Sequence, residues 1–301
     1  MNDGEWIAGD WGTSHLRLFL CDARGQVLDS ATGPGVGTAP LVGTDPGVAG
    51  SSERCEQIFD SLTARWPQKK AVLCGMVGSN IGWTQAPYVP CPATPAAIAE
   101  HSVRLRDGLI RIVPGLSCRN RFDAPDFMRG EETQILGVLA LEPALQKGRQ
   151  LLCLPGTHTK WAALNDGVVT EFLTAPTGEL FNILSQHSVL VRERGPFNAQ
   201  SFHKGLEQPV PHLLHRLFET RSRMLAGELE APHAASFLSG LLIASDIAGA
   251  LEIFANTVVH LVGSPDLTRL YAEALRHRQC MSSATDGSAA SLAGLIQIYN
   301  R

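Results

Sequence analysis

Residues 5–26 read EWIAGDWGTSHLRLFLCDARGQ, and residues 151–174 read LLCLPGTHTKWAALNDGVVTEFLT. In the first stretch an apolar run ends on Asp10, and a turn of small and hydroxyl residues follows (Trp11-Gly12-Thr13-Ser14). The alternating segment HLRLFLC then returns as a strand, DARG turns again and QVLDSA adds a third strand, which together predict an antiparallel meander. The second stretch repeats that order: strand, Gly-Thr turn, strand, Asx-Gly turn, strand. Setting residues 11–14 on Pro155-Gly156-Thr157-His158 brings the second turns, Arg24-Gly25 and Asp166-Gly167, close to register. Each copy heads roughly half of a 301-residue chain, which is long for a single core, so the two halves read as diverged copies of one unit.

Working outward, the glycine-rich passage Gly33–Gly50 reads as a loop and CEQIFDSLTARW (55–66) as a helix. AVLCGMVGS (71–79) is a buried strand running into a glycine turn, and NIGWTQAPYVPCPATP (80–95) carries too much proline for regular structure. After a strand in LIRIVPG (109–115), the stretch 126–145, DFMRGEETQILGVLALEPAL, predicts a connecting helix with acids in its first turn. AASFLSGLLIASDIAGALEIF (234–254) is helical, and TVVHLVG (257–263) is a strand entering the helix 266–277, with Ser264 as N-cap and Pro265 in the first turn. DGSAASLAGLIQIYN (286–300) closes the chain as a helix of small residues. The boundaries expected are a first domain over 1–128, a connecting helix over 129–149 and a second domain over 150–285, with the helix over 286–301 a candidate to pack back on the first domain.

At 44% hydrophobic and 18% charged residues with a formal net charge of -4, the chain has the composition of a globular protein and lacks the basic excess of a nucleic-acid binder. An anionic substrate would therefore need local positive charge. The seven cysteines are scattered and never form C-x-x-C, so they indicate neither a disulfide framework nor zinc. His212 and His215 lack a third ligand nearby and read as a helix face. The N-terminus has no leader pattern and no apolar run reaches about 18 residues, so a cytoplasmic protein without a membrane partner is expected, and a homo-oligomer is left open.

No G-x-x-x-x-G-K-[ST], no G-x-G-x-x-G after a strand, no G-x-S-x-G and no H-E-x-x-H occurs, so a nucleotide would have to be bound by another architecture. A duplicated meander with a Gly-Thr hairpin in each half, followed late by a strand-Gly-helix unit, resembles the acetate and sugar kinase, actin and heat-shock ATPase superfamily. Five blocks sharpen the likeness: GDWGTSHLRLFLCD (9–22), CGMVGSNIGWTQAPYVPCPA (74–93), MRGEETQILG (128–137), LPGTHTKWA (154–162) and PTGELFNIL (176–184). In this order they are similar to the 2-dehydro-3-deoxygalactonokinase family. The resemblance implies an α/β fold of two duplicated ribonuclease-H-like (actin-like ATPase) domains with a nucleotide cleft between them. It also implies ATP and Mg²⁺ as cofactors and transfer of the γ-phosphoryl group to the 6-hydroxyl of a small sugar acid, 2-dehydro-3-deoxy-D-galactonate. A kinase of the same fold for another small acceptor, and an actin-like ATPase without a sugar acceptor, are the alternatives.

On that resemblance Asp10 holds Mg²⁺ through water, and Gly12, Thr13 and Ser14 let the backbone approach phosphates. The second copy has Leu154 at the position of Asp10 and gathers Gly156, Thr157, His158, Thr159 and Lys160 near the β- and γ-phosphates, with Lys160 as a point charge. Gly263 and Ser264 would face adenosine, although the superfamily often carries two adjacent glycines there. For the base that takes the acceptor's proton the candidates are Asp126, Glu131 and Glu132, the two glutamates being favoured. The sugar acid would meet Gly75, Met76, Ser79, Asn80, Trp83 and the cation Arg129.

Overall fold

The computed structural model describes residues 4–38, 51–208, 212–255 and 258–301; most of the Gly33–Gly50 passage lies outside the described residues. The chain divides into two compact units, one formed by Met1–Arg149, Leu164–Glu171 and Asp286–Arg301, the other by Gln150–Ala163 and Phe172–Thr285.

The first unit begins with β1 (Trp6–Trp11), β2 (His15–Cys21) and β3 (Val27–Pro34), the expected meander. It continues through α1 (Ser51–Thr63), β4 (Lys70–Gly75), β5 (Tyr88–Pro90), α2 (Pro95–Glu100), β6 (Val103–Leu105), β7 (Ile110–Ile112), β8 (Gly115–Arg119), β9 (Pro125–Met128) and α3 (Glu131–Leu141). Its main sheet has the order β3-β2-β1-β4-β7-β6, and a smaller one the order β5-β8-β9. The alternation in β2 turns Leu16, Leu18 and Leu20 inward, where they join Ile7, Trp11 and Leu73 in the core. β1 lies between an antiparallel neighbour and a parallel one, so Asp10 stands opposite Arg17 on β2 and Cys74 on β4.

The predicted helix over 126–145 is corrected. Residues 125–128 pair with β8 as a strand, and the helix starts only at Glu131 because Gly130 takes φ 111°, a conformation that breaks the run. The tightest packing in this unit is between α3 and α10 (Gly287–Tyr299), the C-terminal helix. A Cβ on Gly137 would lie 1.7 Å from the Ala290 carbonyl oxygen, and one on Gly294 would lie 1.9 Å from that of Thr133. Gly137→Ala is therefore expected to cost about 3 kcal/mol and to lower the Tm by on the order of 5–10 °C in calorimetry. An unchanged Tm would show that the helices do not approach this closely.

The second unit carries most of β10 (Arg149–Leu154), β11 (Thr159–Asn165), β12 (Val168–Ala175), α4 (Thr177–His187), α5 (Ala199–Leu206), α6 (Leu213–Leu217), α7 (Glu219–Leu225), α8 (Ala234–Phe254), β13 (Val258–Gly263), α9 (Pro265–His277) and β14 (Met281–Asp286), while Leu164–Glu171, the end of β11 and the start of β12, belong to the first. Its sheet runs β12-β11-β10-β13-β14, with β10 and β13 parallel. The meander thus opens the sheet of both units, as the repeat predicted, and in each a parallel strand follows it. By length and hydropathy α8 alone among the described helices is apolar enough to cross a membrane; most of its residues are buried in this unit, from Ala234 to Phe254. Ser264 occupies the N-cap position of α9 as expected, but its side chain makes no capping bond.

Candidate active site

In the first unit a corner forms where β1, β4 and α3 end together. A Cβ on Gly75 would stand 2.8 Å from the Trp11 carbonyl oxygen and 3.7 Å from Oδ1 of Asp10, and one on Gly130 would stand 3.4 Å from Cα of Gly75. Three chain ends converge here because the side chains that would separate them are missing. Asp10 thereby shares a corner with the first turn of α3. The turn beyond it is braced from behind: Gly35 N–H donates to the Ser14 carbonyl, Val36 N–H to that of Gly12 and Gly37 N–H to that of Thr13, at 2.9–3.1 Å. Thr13 and Ser14 are exposed at its tip. Gly35 must stay glycine, since a Cβ would lie 2.2 Å from the Thr13 oxygen.

Arg17 was missed by the sequence reading. Its guanidinium donates to Oδ2 of Asp10 at 2.6 Å and also reaches Ser288 Oγ on α10. The signal was in the quoted stretch, because a hairpin turning at residues 12–14 pairs Asp10 with Arg17 across the strands. An open pocket of about 460 Å³ lies here, lined by Asp10, Gly12, Ser14, His15, Arg17 and Thr32 among others.

The three candidate acids have different surroundings. Glu131 is partly exposed, and its Oε2 accepts from the Arg129 N–H at 3.0 Å. Glu132 is fully buried; its Oε2 accepts from the Gly130 N–H at 2.7 Å and its Oε1 from the Thr133 hydroxyl at 3.0 Å, so it closes the start of its own helix. Burial, and secondarily the charge of Glu131, pushes the Glu132 carboxyl up to about 8. Cys74, beneath the corner, is raised by burial and then by the charges of Asp10 and Glu132. Asp126, buried on β9, accepts from its neighbour Phe127 N–H and from Asn120 in the β8–β9 turn.

Of the residues expected to meet the acceptor, Gly75 belongs to the corner and Asn80 is exposed on the loop beyond Met76, which is half-buried. Ser79 and Trp83 have partners of their own within the first unit. The Ser79 hydroxyl turns back to the Met76 carbonyl at 2.7 Å, and Trp83 packs on Phe59 in the core with ring centroids 5.3 Å apart. Arg129 lies 4.2 Å over the Tyr88 ring and donates to the Ala86 carbonyl at 2.7 Å, while its buried Nη1 makes no hydrogen bond among the described residues.

In the second unit, Thr157 and His158 are exposed at the tip of the β10–β11 turn and are braced by α4. Glu179 N–H donates to the Thr157 carbonyl at 2.9 Å, and the Glu179 carboxylate meets His158 Nε2 at 2.9 Å. Gly178 has to be small, as its Cβ would come 2.3 Å from the Gly156 oxygen. Thr159 and Lys160, expected at phosphates, are drawn inside. The Thr159 hydroxyl meets the Tyr271 hydroxyl at 2.9 Å, and Lys160 Nζ donates to Thr174 Oγ1 at 2.9 Å. The reason is that β11 is covered on both faces, so successive side chains are buried instead of alternating. Gly263 is buried, a Cβ there meeting the Pro155 oxygen at 3.4 Å, and Ser264 is exposed.

Within this unit a cavity of about 240 Å³ is lined by Gly156, Thr177, Phe181, Phe197, Leu267 and Tyr271 among others. Beside it Asp246 of α8 accepts three hydrogen bonds: from Trp161 Nε1 at 2.8 Å, the Thr177 hydroxyl at 2.7 Å and the Tyr271 hydroxyl at 2.6 Å. Burial raises its carboxyl, and these donors oppose the rise. Asp246 was also missed, although a lone acid in the middle of an apolar helix is a sequence signal for a paired buried group.

The chain matches the family model described as 2-keto-3-deoxy-galactonokinase over residues 10–298. It is 35% identical over 300 residues to the 2-dehydro-3-deoxygalactonokinase of Escherichia coli strain K12, covering 97% of each chain. Among solved structures it is similar to a putative 2-dehydro-3-deoxygalactonokinase protein from Sinorhizobium meliloti, with TM-score 0.85, 35% identity and 98% of each chain covered. A more distant likeness, at 10% identity and TM-score 0.52 over 98% of this chain and 94% of the other, is to the activator of the 2-hydroxyisocaproyl-CoA dehydratase from Clostridium difficile; it concerns the fold alone.

Proposed function

The chain belongs to the 2-keto-3-deoxy-galactonokinase family, and on that footing we propose how its own residues carry out the kinase reaction. It is an ATP-dependent carbohydrate kinase with a sugar-acid substrate, built on the duplicated fold of the actin-like ATPases. The reaction is transfer of the ATP γ-phosphoryl group to the 6-hydroxyl of 2-dehydro-3-deoxy-D-galactonate, giving the 6-phosphate and ADP.

The observation that carries the assignment of residues is the corner where Asp10, Gly75 and the first turn of α3 meet. Glu131, accessible and stabilised as an anion by the N-terminus of α3, takes the proton from the acceptor hydroxyl as its oxygen bonds to phosphorus. Glu132 lacks that access and instead positions the turn. Asn80 and Arg129 hold the acceptor, the partly exposed guanidinium of Arg129 suiting its carboxylate. Thr13 and Ser14, and in the second unit Thr157 and His158, offer amides and hydroxyls to phosphate oxygens.

Asp10 suits Mg²⁺. Among the described residues no three of His, Cys, Asp and Glu cluster as a metal cage, and a single partly exposed carboxylate fits an ion that keeps most of its waters. When bound, Mg²⁺ neutralises charge on the phosphates. Arg17, now paired with Asp10, adds a second cation to the same pocket. The apolar cavity of the second unit takes the adenosine end, its few placed hydroxyls and phenylalanines being the make-up of a nucleoside site. A cytoplasmic enzyme acting without nucleic acid or membrane completes the reading.

The test is incubation with ATP, Mg²⁺ and a panel of acceptors, read by mass and by ADP release. The expected outcome is a phosphorylated 2-dehydro-3-deoxy-D-galactonate and little ADP without it. Release of ADP independent of any acceptor would point to an ATPase instead, and activity confined to another acceptor class would overturn the substrate.

A further inference from the structure

The Asp246 carboxylate bonds both to the strand that leaves the Thr157-His158 turn and to the wall of the cavity. Trp161 bonds to it directly, and Thr159 reaches it through the Tyr271 hydroxyl; both residues lie on β11, the strand that leaves the turn at Thr157-His158. Thr177 and Tyr271 bond to it from α4 and α9, and both line the cavity. We infer that Asp246 is a positioning residue that sets the turn and the cavity in register, so that one nucleoside triphosphate can engage both at once. This rests on the assignment of the cavity to adenosine.

The chemistry of the carboxylate makes the joint possible. All its donors point at it, two of them, Thr177 and Tyr271, at the same oxygen Oδ2, and an anion accepts from several donors without needing a proton of its own. An amide replaces it only with its bonds to the hydroxyls reversed and without the charge. Trp161 N–H can only donate, so the asparagine carbonyl must face it, and the NH₂ then stands where Oδ2 was. The Thr177 and Tyr271 hydroxyls must turn their protons away, toward the cavity and Thr159. The shape of the core is retained, while the bonds that join β11 to the cavity wall are reversed and weakened, since neutral N–H···O bonds replace bonds to an anion.

A ligand held at two subsites gains affinity from their fixed separation, and a ligand held at one does not. Asp246→Asn is therefore expected to weaken binding of the ATP analogue AMP-PNP with Mg²⁺ by about tenfold, while adenosine, which occupies the cavity alone, changes by no more than about twofold. Tyr271→Phe keeps the ring in the cavity wall and removes the hydroxyl, and should shift the same ratio by about threefold. Calorimetric titration of both ligands, with Tm recorded for each variant, reads these effects. An unchanged AMP-PNP affinity, or an equal loss for adenosine and AMP-PNP, overturns the inference, since the second result is what a general loosening of the core produces. If Asp246→Asn fails to fold, the ratio in Tyr271→Phe decides. Wild-type protein that binds neither ligand overturns the adenosine assignment and this inference with it; wild-type binding with unaltered ratios in the variants overturns this inference alone.

Discussion

Replacing Asp10 with asparagine is expected to lower turnover with ATP and Mg²⁺ by about a thousandfold or more, while the Tm moves by no more than about 3 °C. The two effects separate because the ion pair with Arg17 and the proposed hold on Mg²⁺ differ in weight. Toward the protein, Asp10 makes an ion pair with Arg17 at 2.6 Å across the β1–β2 ladder, with 17% of its side chain exposed. A pair open to solvent contributes on the order of 1 kcal/mol, and asparagine still offers Arg17 a carbonyl. Toward the proposed metal the loss is larger, since the carboxylate at the end of β1 that would hold a hydrated dication disappears. Loss of several kcal/mol of transition-state stabilisation is the thousandfold. Turnover titrated against Mg²⁺ for both proteins, with thermal melts alongside, checks this. Near-normal rates at saturating Mg²⁺, with a lowered Tm, would mean that Asp10 serves the hairpin and nothing else.

The repeat of strand, Gly-Thr turn and strand was enough to read the meander that opens each unit, because hairpins are local and their turn residues declare them. Where the reading failed locally, a stronger neighbouring signal had spread too far. The helical pattern of Glu131–Leu141 was extended back over Asp126-Phe127-Met128, three residues whose partners lie on β8 and are not apparent from spacing. Gly130 was the available sign of the break, its φ of 111° being one that other residues rarely adopt.

The site divides along the same line. Residues at turn tips, Thr13, Ser14, Thr157 and His158, are where the sequence put them, exposed and braced from behind. Thr159 and Lys160 follow only two and three residues after Thr157, yet they enter a strand covered on both faces, where nothing in the local pattern tells inside from outside. Trp83, expected to meet the acceptor, packs on Phe59 from a helix distant in sequence, a contact that its proline-rich loop does not announce. Asp246 and Arg17 are defined by partners 85 and 271 positions away, Trp161 and Ser288, and such pairings are a property of the fold.

The choice between the glutamates of the RGEE turn follows from burial. Glu131→Gln should lower kcat by about 10² to 10⁴, the range of a lost general base, with little change in ATP affinity. Glu132→Gln should keep kcat within about tenfold, because a fully buried group bonded to Gly130 N–H and Thr133 cannot reach an acceptor. Its effect belongs to stability and has a definite sign. Between the ordinary carboxyl value of 4.5 and about 8, the folded protein keeps a proton on Glu132 that the unfolded chain releases. The contribution of this group to stability therefore falls as pH rises through that window and is level beyond it. Glutamine carries no such proton, so the Tm of Glu132→Gln relative to wild type should be higher at pH 9 than at pH 5, by several degrees. A collapse of kcat in Glu132→Gln with normal turnover in Glu131→Gln would reverse the assignment, and near-normal rates in both would move the base off this helix. A Tm difference that does not change with pH would mean that Glu132 is ionised in the folded protein, its charge then being held by Gly130 and Thr133 at the start of α3.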